Sequence, residues 1–319
     1  MHAIIVSEFG GPEVLRHVDA PSPTPGPHQY MVSVRTIGVN YADVWMRQGR
    51  YPNPTPPPFV PGWEVVGSVN GRRVAVPMFA SGALIGGYAD SVIAGADSLV
   101  PVPDEVTDEA AAALLMQGTT AHFLLEHTPV RGRRVLISAA AGGVGTLLVQ
   151  LAKLGGAAQI IALASSGEKL SLVLELGADV AVDYGQPDWC ERVRAATDGT
   201  GADLVLDSVG GAVARSVIEF LAPRGTYAVY GAASMNITTL DAGQVQRMGV
   251  TNQSFTSFSL APALADPPRW RKALETLFTQ VRSGALRTIT GSRWPLAEAA
   301  AAHRALESRM TIGKVTLQP

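Results

Sequence analysis

The 319-residue sequence predicts an α/β fold with two domains: a doubly wound parallel sheet inserted into a β-barrel domain assembled from both ends of the chain. Three observations carry this. The middle third alternates apolar β-type runs with amphipathic helical segments, the pattern of a parallel sheet covered by helices on both faces. A glycine-rich turn, AAAGGVG at 139–145, joins the first of those runs to the first helix. The first hundred residues instead give short β runs cut by proline and glycine, which suits an antiparallel barrel.

In chain order, AIIVSEF, YMVSVRTIGV, RRVAVPM and SLVPVP are the β runs of the first part. Asn70-Gly71 lies between two of them and has the composition of a two-residue type I′ hairpin. YPNPTPPPFVPG holds six prolines between Pro52 and Pro61, either a stiff loop at a pocket rim or a surface polyproline segment. The middle part opens with RVLISA (134–139), suited to a buried parallel strand. Val144, Leu147, Leu148, Leu151 and Leu154 then recur at helical spacing. QIIALA, a helix over 168–176, VAVDY, a helix over 189–196, ADLVLD, a helix over 213–221 and TYAVYG follow, and TNQSFTSF adds a sixth strand. Beyond Phe258 come an amphipathic helix (Trp270, Leu274, Leu277, Phe278, Val281), a strand, a second helix and KVTLQP. So short a tail has little core of its own, so it is expected to pack onto the N-terminal barrel. The boundaries read as 1–116 with 253–319 for one domain and 117–252 for the other. The cleft between them is the expected ligand site.

Composition narrows the function class. Apolar residues make up 47% and charged residues 16%, which suits a well-buried globular chain rather than a disordered one. A net charge of −2 favours neither a nucleic-acid backbone nor an anionic membrane as partner. The lone Cys190 excludes an internal disulfide and a Cys-rich metal site, and points to a reducing compartment. The N-terminus lacks the basic and apolar regions of a signal peptide, and no apolar run is long enough to span a bilayer, so a cytoplasmic location is expected.

The turn at 139–145 departs from G-x-G-x-x-G only in having Ala140 at the first glycine position. Gly142 lets a pyrophosphate approach the backbone, and Gly145 lets the helix pack against the strand. The helix N-terminus adds amide donors and partial positive charge, so the turn reads as a dinucleotide site. At the end of QIIALA, an enzyme selective for NAD would carry Asp or Glu for the ribose 2′-hydroxyl. Here Ser165 and Ser166 stand there, with Lys169 one turn on. Hydroxyls and an ammonium suit a 2′-phosphate, so the expected cofactor is NADPH; an ordinary helix cap explains Ser166 equally well.

NYADVWMRQGRYP, PGWEVVG, GGYAD, MQGTTA, AAAGGVG, ELGADVAVDY, LVLDSVGG and LESRMTIGKV, in this order, resemble the medium-chain dehydrogenase/reductases, specifically their zinc-independent quinone oxidoreductase branch. The resemblance covers nearly the whole chain. It implies a GroES-like catalytic domain joined to a Rossmann domain, and a homodimer formed through the nucleotide-binding sheets. Zinc-dependent relatives ligate metal with a Cys where this chain has Asn40 and with a His where it has Trp63; neither replacement suits zinc, so no metal is expected. By resemblance, Gly142, Gly143, Val144 and Gly145 line the pyrophosphate, and Ser166, Lys169, Tyr184 and Arg309 surround the 2′-phosphate. The alternative for Arg309 is a helix-end cation that serves the last carbonyls. Thr120 lies near the nicotinamide. Asn40 and Tyr51 face the substrate, Asn40 as an amide donor and Tyr51 as a proton donor. The resemblance also implies a longer loop where Asn70-Gly71 closes the hairpin, which leaves substrate size open.

The function expected is therefore NADPH-dependent, metal-free reduction of a quinone or similar conjugated carbonyl. Two alternatives stand beside it: an enoyl or 2-alkenal reductase with Tyr51 as acid, and a non-catalytic NADPH-binding protein of the crystallin-like or RNA-binding kind, the latter disfavoured by the balanced charge.

Overall fold

The computed structural model describes residues 1–81 and 85–319. The chain divides into two compact units, one formed by Met1–Thr119 with Ala263–Pro319 and the other by Thr120–Pro262.

The second unit is built on six parallel strands. In sheet order these are Val180–Asp183, Gln159–Ala164, Arg134–Ile137, Ala202–Asp207, Leu221–Val229 and Ser254–Ser257. In chain order this is 3-2-1-4-5-6, the doubly wound arrangement, with its switch point between the first strand and the fourth. The strands are apolar almost throughout because helices cover both faces: Val135, Leu136 and Ile137 are buried, as are Ile160–Ala164. The first strand stops at Ile137, two residues short of the run RVLISA, because Ser138 onward turns toward the helix Gly143–Leu154. The fourth crossover differs similarly. Its helix is Gly211–Val217, a 3-10 turn covers Ile218–Phe220, and the strand already begins at Leu221. A helix at Ala242–Val250, absent from the sequence reading, precedes the last strand. It buries Met248 and is capped reciprocally by Asp241 and Gln244, a capping box.

The first unit centres on a seven-stranded, mostly antiparallel sheet. Its strands run in the order Thr290–Pro295, Lys314–Gln318, Gln29–Val39, Glu64–Val69, Arg72–Pro77 and Val100–Pro101, with Ser91–Gly95 also paired to Gln29–Val39. AIIVSEF does not join this sheet: His2–Val6 pairs antiparallel with Leu15–Asp19 as a separate two-stranded sheet. Glu64–Val69 and Arg72–Pro77 form the expected tight hairpin, with Asn70 at φ +49° and Gly71 at +77°, the two left-handed residues a type I′ turn needs. The C-terminal strand Lys314–Gln318 pairs antiparallel with Gln29–Val39, Val315 opposite Val39. The tail therefore completes the N-terminal sheet, and its helix Pro267–Arg282 buries Trp270, Leu274, Leu277 and Phe278.

Candidate active site and cofactor cradle

In the second unit, the turn after Ile137 is tight for a chain lacking the first glycine. Ala139 takes φ +47°, and the N–H of Ala140 donates to Leu163 O at 2.9 Å. The strain thus falls one residue before Ala140, the residue occupying the first glycine position. At Gly145 a Cβ would lie 2.3 Å from Ala139 O and 2.7 Å from the Ala140 Cα, so the helix touches the turn backbone there. Gly142, the extended N-cap of that helix, is roomier: its Cβ would meet only Ala139 O, at 3.2 Å. Gly143 and Val144 form the first helical turn. Together these residues present the first amides of a helix, a cradle that fits a pyrophosphate.

Beside the cradle, Asp207 ties the carboxyl ends of three strands together. Its carboxylate accepts from Ser138 Oγ, from Val209 N at 3.0 Å, from Gly210 N at 3.1 Å and from Tyr227 OH at 2.9 Å. Ser138 follows, and Asp207 ends, the two strands that flank the switch point. At the end of the second strand, Ser166 caps the helix Gly167–Glu175 by accepting from Lys169 N. Lys169 Nζ lies 3.5 Å from Ser165 Oγ, and burial holds its ammonium below the ordinary lysine range. The N–H of Tyr184 donates to Ala164 O at 3.1 Å, which brings this tyrosine beside Ser165. Ser165, Ser166, Lys169 and Tyr184 are therefore neighbours, a hydroxyl-and-ammonium set that fits a phosphate. Thr120 lies in the helix Thr119–His127, partly buried.

In the first unit, a buried polar cluster surrounds Asn40. Asn40 caps the helix Tyr41–Arg47, its N–H donating to Asp43 Oδ2 at 2.8 Å. Its side chain donates from Nδ2 to Glu64 Oε1 at 2.9 Å, and its Oδ1 accepts from Lys314 Nζ at 3.0 Å and from Gln117 Nε2 at 3.3 Å. Lys314 Nζ also donates to Glu64 Oε1 and to Val39 O. Glu64 and Lys314 are fully buried. Glu64 occupies space that Gly38 leaves on the neighbouring strand, where a Cβ would meet its Oε1 at 2.1 Å. Between the helices Asp108–Ala113 and Thr119–His127, a widened π-type turn, Leu114–Gly118, presents Met116 N–H to Glu64 Oε2 at 2.7 Å.

Asp43 also accepts from Gly62 N at 3.1 Å. Burial pushes its carboxyl up to about 7, against the backbone donation of Asn40 and the charge of Lys314. Tyr51 packs its ring on Trp63, centroids 5.2 Å apart. Its phenol is held above the ordinary tyrosine value, first by burial and then by the Asp43 charge. Tyr88 OH meets His303 Nε2 at 2.9 Å, and Arg47 Nη1 faces His303 Nδ1. Burial and the Arg47 charge push the His303 imidazole down to about 3, which keeps it neutral. Arg47 in turn is paired with Glu307 at 2.7 Å.

Asn40, Trp63 and Gln117 line up as poor partners for zinc. An amide is a weak ligand, the indole Nε1 is only a donor, and among the described residues no group of three His, Cys, Asp or Glu is placed to hold a metal ion. Arg309, the remaining expected contact, follows the helix Ala299–Glu307 at φ +59°, with its N–H on Leu306 O.

Residues 26–104 match the model of the alcohol dehydrogenase GroES-like domain, and 143–279 that of zinc-binding dehydrogenases. The quinone oxidoreductase of Pseudomonas aeruginosa is 36% identical over 98% of this chain and 97% of its own length. The chain belongs to the quinone oxidoreductase branch of the medium-chain dehydrogenase/reductases. A 2-haloacrylate reductase of a Burkholderia species is 32% identical over 99% of the chain and 98% of its own length. Among solved structures, mycobacterial Rv1454c complexed with NADPH superposes with a TM-score of 0.89 at 39% identity, covering all of both chains. Escherichia coli quinone oxidoreductase complexed with NADPH gives 0.90 at 29% identity, again covering all of both chains. The branch thus accounts for the GroES-like and Rossmann pairing read from the sequence.

Within this quinone oxidoreductase frame, sequence reasoning singled out Asn40 and Tyr51 but missed the residues that hold them. Gln117 and Lys314 have no role in the sequence reading, and neither Asp43 nor Glu64 is read there as a positioning group. The signals were present: an acid opens the apolar run EVVGSV, and a lysine opens the buried strand KVTLQ. Each needs an opposite charge inside the fold.

Proposed function

We propose that this protein is an NADPH-dependent quinone reductase that also acts on related conjugated carbonyls. The observation that carries the reading is the cradle at the carboxyl ends of a 3-2-1-4-5-6 sheet, with Lys169 and two serines where an acid would disfavour a phosphorylated cofactor. Gly142, Gly143, Val144 and Gly145 hold the pyrophosphate through backbone amides. Ser166, Lys169, Tyr184 and Arg309 hold the 2′-phosphate, and Thr120 adjoins the nicotinamide. When bound, the reduced nicotinamide supplies a hydride. Asn40 donates an N–H to the acceptor oxygen or to a ribose hydroxyl. Tyr51, protonated at neutral pH, donates a proton where the acceptor needs one.

Quinones are the first choice because conjugation already spreads the developing charge onto oxygen, with no metal needed to polarise them. The similarity to a 2-haloacrylate reductase supports a second reading, saturation of a polarised C=C bond with Tyr51 as acid. The test follows NADPH consumption, by loss of its near-ultraviolet absorbance, with 1,2-quinones, 1,4-quinones, enones and haloacrylates. Turnover of quinones is expected; NADPH binding with no turnover of any acceptor would favour a non-catalytic binding protein instead.

The working form we propose is a cytoplasmic homodimer joined through the outer strand Ser254–Ser257. Exposed Phe255 on that strand, and exposed Val245 and Val250 on the helix before it, support this pairing. Sedimentation equilibrium of the full chain, with Phe255→Lys as the disrupting variant, tests it.

A further inference from the structure

We propose that Lys314 is a positioning residue for the reduction: its buried ammonium fixes the Asn40 side-chain amide so that a single N–H is left to meet the acceptor. This rests on the reductase reading above.

The amide can be accounted for atom by atom. Asn40 Oδ1 has two acceptor sites, and both are taken, by Lys314 Nζ at 3.0 Å and Gln117 Nε2 at 3.3 Å. Nδ2 has two hydrogens, and one goes to Glu64 Oε1 at 2.9 Å. One donor remains. Rotating the amide by half a turn would set its NH2 against the ammonium and its oxygen against the Glu64 carboxylate. Both contacts are repulsive, so chemistry dictates which way the amide points. Without Lys314 that bias is weakened, since only the Glu64 carboxylate then opposes the reversed amide; without both charges it is lost.

Lys314 is not itself a proton donor to the acceptor. Its three N–H groups are spent on Val39 O, Asn40 Oδ1 and Glu64 Oε1, and no part of it is exposed. Glu64 is likewise consumed, its second oxygen by Met116 N–H at 2.7 Å. The network is thus closed at its buried end, and Asn40, 9% exposed, lies at its open end beside half-buried Gln117. A buried lysine–glutamate pair is a poor way to stabilise a core, because desolvation offsets most of the attraction. Orienting a neighbouring dipole is what such a pair does well.

The experiment is a mutant cycle in the full-length protein. Lys314→Met, Asn40→Ala and the double variant are assayed for kcat and KM with a 1,4-naphthoquinone and for NADPH affinity by fluorescence titration. Lys314→Met is expected to lower kcat/KM about tenfold or more, with NADPH affinity within about twofold, and to cause no further loss once Asn40 is alanine. Losses that multiply would overturn the proposal, since Lys314 would then act independently of Asn40. If the unpaired Glu64 prevents Lys314→Met from folding, Lys314→Met with Glu64→Gln removes both charges. That variant is expected to fold and still show the loss; wild-type rate in it would equally overturn the idea.

A second readout does not depend on turnover. In 15N-labelled protein, the Asn40 side-chain amide should give two sharp, slowly exchanging proton lines that broaden in the Lys314→Met/Glu64→Gln variant. A mobile Asn40 amide in the wild type refutes the positioning role whatever acceptors are reduced. Silence toward all acceptors alongside a locked amide refutes the reductase reading alone.

Discussion

Adding one methyl group at Gly142 or at Gly145 should separate cofactor contact from backbone packing. At Gly145 the new Cβ would sit 2.3 Å from Ala139 O and 2.7 Å from the Ala140 backbone. Neither neighbour is a flexible side-chain end, so the helix start must move by about 1 Å, an overpacking that costs roughly 1–3 kcal/mol. Alanine recovers about 1 kcal/mol of helix propensity, leaving a net loss of about 0–2 kcal/mol. Gly142 is different. It is extended (φ −77°, ψ 176°), a conformation alanine adopts freely, and its Cβ meets only Ala139 O at 3.2 Å. Stability of Gly142→Ala should therefore stay within about 0.5 kcal/mol of wild type, the reduced entropy of its unfolded chain offsetting the tight contact. NADPH affinity should fall about tenfold or more in both variants, through a methyl in the pyrophosphate path at 142 and displaced amides at 145. Urea denaturation followed by circular dichroism measures the first quantity, and fluorescence titration with NADPH the second. Wild-type affinity in Gly142→Ala, or a Gly145→Ala protein more stable than wild type, would refute this account of the turn.

Lys169→Ala should weaken NADPH about 10- to 100-fold and leave NADH within about twofold, as loss of one charge-assisted contact predicts; equal losses for both cofactors would place the 2′-phosphate elsewhere. Tyr51→Phe should slow alkene reduction by about 100-fold or more and quinone reduction only slightly, which steady-state assays with both acceptor classes decide. His303→Gln should alter the pH dependence of stability. His303 is depressed from 6.5 to about 3, so between those values unfolding takes up a proton and stability falls as pH falls. Asp43 is raised from 3.8 to about 7, so over nearly the same window unfolding releases a proton and stability rises as pH falls. The two slopes, each about 1.4 kcal/mol per pH unit at most, oppose one another near pH 5. Removing His303 should expose the Asp43 slope; urea midpoints in His303→Gln as flat as those of wild type would sink this assignment.

The fold was legible where periodicity is strong. Ile160–Ala164 and Leu204–Asp207 are buried runs whose helices share one spacing, and neither needs a distant partner to be recognised. Ala242–Val250 was not legible because Met248 is the one residue it buries fully; its capping box, Asp241 with Gln244, was the available signal. His2–Val6 reads as a strand, but nothing local reveals that it pairs with Leu15–Asp19 rather than the main sheet. At the site, Asn40 and Tyr51 were found through motifs. Lys314 meets Glu64 across 250 positions, a contact that no local pattern encodes. Ala140 drew attention as the missing glycine, whereas the turn places its left-handed residue at Ala139.

The pairing of Lys314–Gln318 between Thr290–Pro295 and Gln29–Val39 has a consequence for biosynthesis. As the chain leaves the ribosome, residues 120–262 hold everything their own sheet requires and can settle early. The other unit must wait for its final strand, and until that strand docks, Glu64 lacks its counter-charge. A nascent chain stalled before residue 314 would therefore present an open strand edge and an uncompensated acid, features that invite chaperone capture.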